Sequence, residues 1–226
     1  MLLRHPKPKS RLSAVALLGL IRNPEKLDEA ILQSVQQRQV VDFKPVQDFD
    51  NFISQLQEHA IRTIVIDFDS TLLDKSVGGG ASEDSIAELA THLSADAISL
   101  ACWAHKNDLP VYVATHNDER FAQVDKNGVR KLAGERLVRA VHAKTPDNDS
   151  WPIKGVFAFY PDVEPCAKNE HLKLVCKDAR VPNHEVVLID DNQLNCEAAL
   201  AAGHHAVLVV GPGFRFSTAQ WLQSGI

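Results

Sequence analysis

The chain has 226 residues, of which 45% are hydrophobic and 23% charged. That fits one or two soluble folded domains and excludes a disordered, collagen-like or low-complexity chain. The formal net charge of −5 gives no general reason to expect a nucleic acid as partner.

The first 24 residues differ from the rest. They carry Arg4, Lys7, Lys9, Arg11 and Arg22 and no acid. Their apolar stretch, Ser13 to Ile21, is about half of the ~20 residues that cross a bilayer, so no membrane span is expected. A basic tail running into a helix is the favoured reading, and a targeting segment is the alternative. Cys102, Cys166, Cys176 and Cys196 form no C-x-x-C pair and no zinc spacing. They read as reduced thiols, with a disulfide left open, and place the expected location in the cytoplasm, or in an organelle if the basic start is a transit signal.

Asn23-Pro24-Glu25 has the form of a helix start, with a capping amide, a first-turn proline and acids that complement the dipole. A second helix is predicted from about Asp48 to Ile61, where Phe49, Phe52, Ile53, Leu56 and Ala60 make one apolar stripe. Residues 1–61 thus read as an N-terminal helical extension and 62–226 as the main domain. From Thr63 the pattern changes to short β-branched runs of the kind buried on both faces of a parallel sheet. These are Thr63–Ile66, Val111–Ala114, Gly155–Phe159, Val186–Ile189 and Ala206–Val210. Helices are predicted between them near 84–107, 128–143, 169–179 and 194–202, the last stopped by Gly203. The alternation predicts an α/β, Rossmann-like three-layer sandwich with a five-stranded, mostly parallel sheet.

Ligands of open α/β sheets bind at the carboxyl ends of the strands. The first strand ends Asp67-Phe68-Asp69-Ser70-Thr71, the second Thr115-His116-Asn117 and the fourth Asp190-Asp191-Asn192. Lys168 precedes the helix that leads to the fourth. Asp67 and Asp191, brought close together, would repel unless a cation lay between them, and hard carboxylate oxygens favour Mg2+. Lys168 and Thr115 suit anionic phosphate oxygens, which are the parts phosphoryl transfer needs. Asp67 at the strand tip is the candidate nucleophile, and Asp69 the candidate acid and base.

Residues 64–74, Ile-Val-Ile-Asp-Phe-Asp-Ser-Thr-Leu-Leu-Asp, resemble the first motif of the haloacid dehalogenase superfamily, a hydrophobic strand followed by D-x-D-x-T. Thr115 after its strand resembles the second motif and Lys168 in Lys168-Asn169-Glu170-His171-Leu172 the third. Val186 to Asn192, followed by Asn195 and the Ala-rich run to Gly203, resembles the fourth. The likeness covers about residues 62–210. It implies a phosphatase forming an aspartyl-phosphate on Asp67, with Asp69 as general acid and base. It implies Mg2+ held by the Asp67 carboxylate, the Asp69 carbonyl and one of Asp190 and Asp191. Asp191 is favoured because Asn195 follows it by four residues. Thr115, Lys168 and main-chain N–H groups near His116 and Asn117 would hold the phosphoryl group. The short intervals between motifs resemble the capless branch, such as the magnesium-dependent phosphatases, whose third motif also reads K-x-x-H. Such an open site suits a phosphorylated small molecule or a phosphoprotein, and a second subunit could cover it in an oligomer.

Blander readings stand beside these. An acid pair ending a strand can cap a helix, Lys173 rivals Lys168, His116 and His171 can be structural, His204-His205 can be a turn, and Gly78-Gly79-Gly80 can be a plain connection. A phosphotransferase or mutase is one competing function, and a non-catalytic module of the same fold is another. A signalling receiver domain fits poorly, because its acid pair comes first and its phosphorylated Asp later.

Overall fold

The computed structural model describes residues 43–45, 48–122, 124, 128–145, 148–161 and 167–223, which belong to one compact unit. The basic start and the helix expected at Asn23-Pro24 lie outside them. Among the described residues the strands are β1 (Phe43–Pro45), β2 (Thr63–Ile66), β3 (Ala81–Ser82), β4 (Val111–Thr115), β5 (Lys131–Leu132), β6 (Ile153–Ala158), β7 (Val186–Asp190), β8 (His205–Leu208) and β9 (Gln220–Leu222). The α-helices among the same residues are α1 (Phe49–Glu58), α2 (Ile86–Ala90), α3 (Ala95–Lys106), α4 (Gly134–His142), α5 (Asn169–Ala179) and α6 (Gln193–Ala201).

The main sheet has seven strands in the order β1-β9-β8-β7-β2-β4-β6. Its five-stranded centre, β8 to β6, is parallel throughout, as the apolar runs predict. Beyond the expectation, β9 and β1 extend the β8 edge antiparallel. Neither shows a run long enough to be read as a buried strand: β9 is three residues that follow the Gly211-Pro212-Gly213 turn. The chain runs from β2 outward through β4 to β6, then returns to the other side of β2 for β7 and β8. The reversal therefore lies at β2, and its carboxyl end is where such a sheet offers a crevice.

Every side chain of β2, β4 and β7 is buried. Helix α1 begins at Asp48, whose carboxylate accepts the Asn51 N–H at 2.9 Å. Its Phe52 meets Phe214, Phe216 and Trp221 with ring centroids 5.5–5.9 Å apart, so the helix is part of the core. Two expected helices are shorter than predicted. The stretch 84–107 is broken between α2 and α3, where Leu93 bridges Leu73 and Ser94 caps α3 through the Ala97 N–H. The stretch 128–143 begins as β5, which pairs with β3 in a separate two-stranded sheet, so only Gly134–His142 is helical. His205 opens β8 rather than lying in a turn.

Candidate active site

Three strand ends and one helix start meet at the crevice. Asp67 follows β2 directly and its N–H still pairs with the Ile189 carbonyl at 2.9 Å. Thr115 ends β4, Asp190 ends β7, and Lys168 holds the N-cap position of α5. Asp67 and Asp69 both have extended backbone, and Ser70 in the left-handed region then turns the chain away. All of these line one cavity of about 380 Å³, together with Asp191, Asn192, Asn195, Asn117, His116, Ser76, Gly78, Gly79 and Tyr160.

Lys168 is the pivot of the site. It is 2% exposed, and its ammonium donates to Asp67 Oδ1 and, at 2.7 Å, to Asp190 Oδ2. A buried lysine stays charged only when paired. Burial pulls its pKa down, but Asp190 and Asp67 outweigh burial and hold it above the ordinary lysine value. Asp67 is raised well above the usual carboxylate range by burial, with Lys168 opposing the rise and Asp190 adding to it. Burial also raises Asp69, whose carboxylate accepts the Val77 N–H at 2.7 Å. A carboxyl that keeps its proton to higher pH is suited to protonating a leaving group.

The acid pair at the end of β7 divides into two environments. Asp190 is fully buried and its carboxylate accepts from Lys168, from the Asn192 N–H at 2.8 Å and from Asn195 Nδ2 at 3.1 Å on both oxygens. Asp191 is exposed, and burial of part of its carboxyl, with Asp190 beside it, raises its pKa. Asn195 therefore pairs with Asp190, five residues before it, and not with Asp191. Asp191 precedes the Asn192 N-cap of α6, so it lies outside the helix that carries Asn195. Asp67, Asp190 and Asp191 can each offer a carboxylate oxygen to one ion, with these atoms within 4.8 Å of one another. A purely carboxylate set of this kind fits a hard divalent cation such as Mg2+.

The Thr115 end of β4 is tied down on two sides. Thr115 Oγ1 accepts the Asn117 N–H at 3.0 Å, and Asn117 Oδ1 accepts the Gly134 N–H at 2.8 Å. His171, one turn into α5, places Nε2 at 3.1 Å from the Thr115 carbonyl and 3.0 Å from the Phe159 carbonyl. Both partners are acceptors, so Nε2 carries the proton, and the ring lies flat on Phe159 at 3.9 Å. Burial, and then Lys168, lower His171 to about 3 and His116 to about 4, so both rings are neutral. His171 thus joins the ends of β4 and β6.

Asp67, Asp69, Thr115, His116, Asn117, Lys168, Asp190 and Asp191 all line the cavity, whereas His171 lies behind it. Lys173 instead pairs with Glu170 at 2.6 Å on the outer face of α5. Sequence reasoning missed Tyr160, which follows β6. Its strand end carried no charge to mark it, although the rule that sites form at strand ends applied there too. No described helix is long and apolar enough to cross a membrane.

Neither a family model nor a curated protein matches this sequence. The fold is similar to solved structures of haloacid dehalogenase-like hydrolases and phosphatases. A protein described as a haloacid dehalogenase-like hydrolase, from Bacteroides fragilis, is 16% identical, with 67% of this chain and 89% of that one covered and a TM-score of 0.45. D,D-heptose 1,7-bisphosphate phosphatase of B. bronchiseptica, with magnesium and phosphate, is 18% identical, with 66% and 80% covered and a TM-score of 0.47. A haloacid dehalogenase family enzyme of Bacteroides thetaiotaomicron, with magnesium and inorganic phosphate, is 12% identical, with 67% and 95% covered and a TM-score of 0.43.

Proposed function

We propose that the chain is a Mg2+-dependent phosphomonoesterase that works through an aspartyl-phosphate on Asp67. The observation that carries this reading is the buried Lys168 bridging Asp67 and Asp190 inside a cavity that also holds Asp69 and Thr115. A structural ion pair needs one acid. Here one cation serves two acids, with a third within reach, which is an arrangement for neutralising anions that come and go.

Asp67, Asp190 and Asp191 are the residues that would hold the ion. When bound, Mg2+ supplies charge neutralisation for the carboxylates and the phosphoryl oxygens. Lys168, the Thr115 hydroxyl and the N–H groups near His116 and Asn117 bind and orient the phosphoryl group. An Asp67 oxygen attacks phosphorus, the bond to the ester oxygen breaks, and the departing oxygen takes its proton from Asp69. Asp69, now ionised, accepts a proton from water as that water attacks phosphorus. The acyl-phosphate bond breaks, inorganic phosphate leaves and the Asp67 carboxylate is restored. His171 keeps the Thr115 end in register for both steps.

The substrate is a phosphorylated small molecule or a phosphoprotein, reached through an open, capless mouth. Asp67→Asn is expected to abolish metal-dependent hydrolysis of p-nitrophenyl phosphate while leaving the circular dichroism spectrum and cooperative unfolding intact. Full turnover by that variant would sink the nucleophile assignment, and no metal-dependent turnover by the wild type would favour a non-catalytic module.

A further inference from the structure

One buried donor beside the acids makes no hydrogen bond. Asn117 is 4% exposed and follows the last residue of β4 by two. Its N–H donates to Thr115 Oγ1 at 3.0 Å, and its Oδ1 accepts the Gly134 N–H at 2.8 Å. The Gly134 bond fixes which way the carboxamide faces, because only the oxygen can accept there. Nδ2 is thereby turned away from Gly134. It is buried and has no hydrogen-bond partner among the described residues. An unpaired buried donor destabilises a fold, so its persistence at a catalytic cavity points to a use there.

The neighbour of that donor is Asp69. Both residues line the cavity. Burial raises the Asp69 carboxyl, and the Val77 N–H, Lys168 and then the Asn117 amide oppose the rise, which places the amide beside the carboxyl. Asp69 is thus approached from two sides. The Val77 N–H reaches Oδ1 at 2.7 Å from the segment that follows β2, and Asn117 comes from the end of β4. A carboxylate can accept several donors at once, so a bond from Nδ2 is compatible with the one from Val77.

We infer that the Asn117 carboxamide positions Asp69, donating through Nδ2 to its carboxylate and holding it turned towards the ester oxygen. This rests on the phosphatase reading above and gives the Asn117 side chain a role separate from that of the main-chain N–H groups. Asn117 is a positioning residue, since it acts on the substrate through Asp69. Its hold tightens as Asp69 passes its proton to the departing oxygen, because an ionised acceptor makes the stronger hydrogen bond. The acid then stays aimed at the same point for the attack of water. Gly134, at the start of α4, sets the amide and so couples that helix to the acid.

The experiment uses the full chain with Mg2+ and two esters. β-Glycerophosphate has a leaving alkoxide that needs a proton, and p-nitrophenyl phosphate has one that does not. Asn117→Ala is expected to lower kcat/KM about 10- to 150-fold on β-glycerophosphate, the worth of one hydrogen bond to a charged group, and much less on p-nitrophenyl phosphate. Asn117→Ser keeps a neutral oxygen near the backbone and has no amide, so it should show the same split if Asn117→Ala does not fold. In an Asp69→Ala background the Asn117→Ala step should change kcat/KM on β-glycerophosphate by about two-fold or less, because the interaction is already gone. Inhibition by inorganic phosphate should be the same in Asn117→Ala as in the wild type. Equal losses on the two esters, a loss that persists in the Asp69→Ala background, or weaker inhibition by phosphate overturns the positioning role and moves the amide to the phosphoryl group. Wild-type kcat/KM on β-glycerophosphate in Asn117→Ala or Asn117→Ser overturns any role for the amide. Absence of metal-dependent turnover of p-nitrophenyl phosphate by the wild type is a different result, which overturns the phosphatase reading and the positioning role with it.

Discussion

Lys168→Met tests the electrostatic centre of the site without depending on turnover. Methionine nearly fills the volume of the lysine stem but leaves Asp67, 5% exposed, and Asp190, 0% exposed, facing each other without a cation. Breaking a buried ion pair by removing one partner costs about 3–5 kcal/mol. For a domain of this size that corresponds to a fall in melting temperature of about 6–20 °C. The pH dependence has a definite sign. The Asp67 pKa already lies above its unfolded value, and loss of Lys168 removes the main force opposing that rise. A carboxyl raised in the folded state contributes stability that is full below the unfolded pKa and is lost as pH rises through the folded one. The deficit should therefore be small near pH 4–5 and grow towards pH 8. Two additions sharpen the test. Mg2+ at about 100 times its dissociation constant should restore about 2.7 kcal/mol. Asp190→Asn in the Lys168→Met background should raise stability, because it removes the stranded charge. Thermal unfolding in EDTA at pH 5 and 8, repeated with Mg2+, reads all of this. Wild-type stability of Lys168→Met at pH 8 in EDTA, or a further loss on adding Asp190→Asn, would refute the reasoning.

Three further outcomes are expected. Asp69→Asn should lower kcat/KM, which reports the step that expels the ester oxygen, by about 100- to 10,000-fold on alkyl phosphates and much less on p-nitrophenyl phosphate, whose leaving group needs no proton; equal losses of kcat/KM on both would remove Asp69 from the acid role. His171→Asn should make stability less sensitive to acid. The wild-type ring, with its pKa lowered to about 3, resists protonation, so it withdraws stability as pH falls from ~6.5 towards 3; denaturant midpoints of the two proteins should converge over that range. Gly134→Ala should cost about 1–3 kcal/mol. Gly134 has φ +60°, and a Cβ there would lie 2.6 Å from Glu119 Cγ and 2.9 Å from Glu119 N. Because the Gly134 N–H also holds Asn117, the KM for a phosphate ester should rise as well.

The sequence by itself determined the parallel centre of the sheet. Buried β-branched runs such as Thr63–Ile66 and Val186–Ile189 have no other stable home, and the helices between them force parallel crossovers. It also determined which residues reach the crevice, because side chains at the carboxyl ends of parallel strands share one edge whatever the details of packing. Asp67, Thr115, Lys168 and the Asp190–Asp191 pair were all legible on that ground.

Local pattern could not reveal what depends on distant partners. Strand β9 exists because β8 needs an edge partner, and the short β3–β5 pair joins segments about 50 residues apart, so neither has a signature of its own. Burial sets the different surroundings of Asp190 and Asp191. Asp190 ends β7 pointing inward to Lys168 and Asn195, and the bend at Asp191 leaves that residue exposed. Tyr160 joins the cavity wall only through the tertiary fold, which ties its backbone to Asp118 and Arg120 and sets its ring beside His116. The net charge of −5, ordinary as a total, likewise took on meaning only in three dimensions. Its decisive part is one buried ammonium shared between two buried carboxylates, a contact made across 101 residues of sequence on one side and 22 on the other.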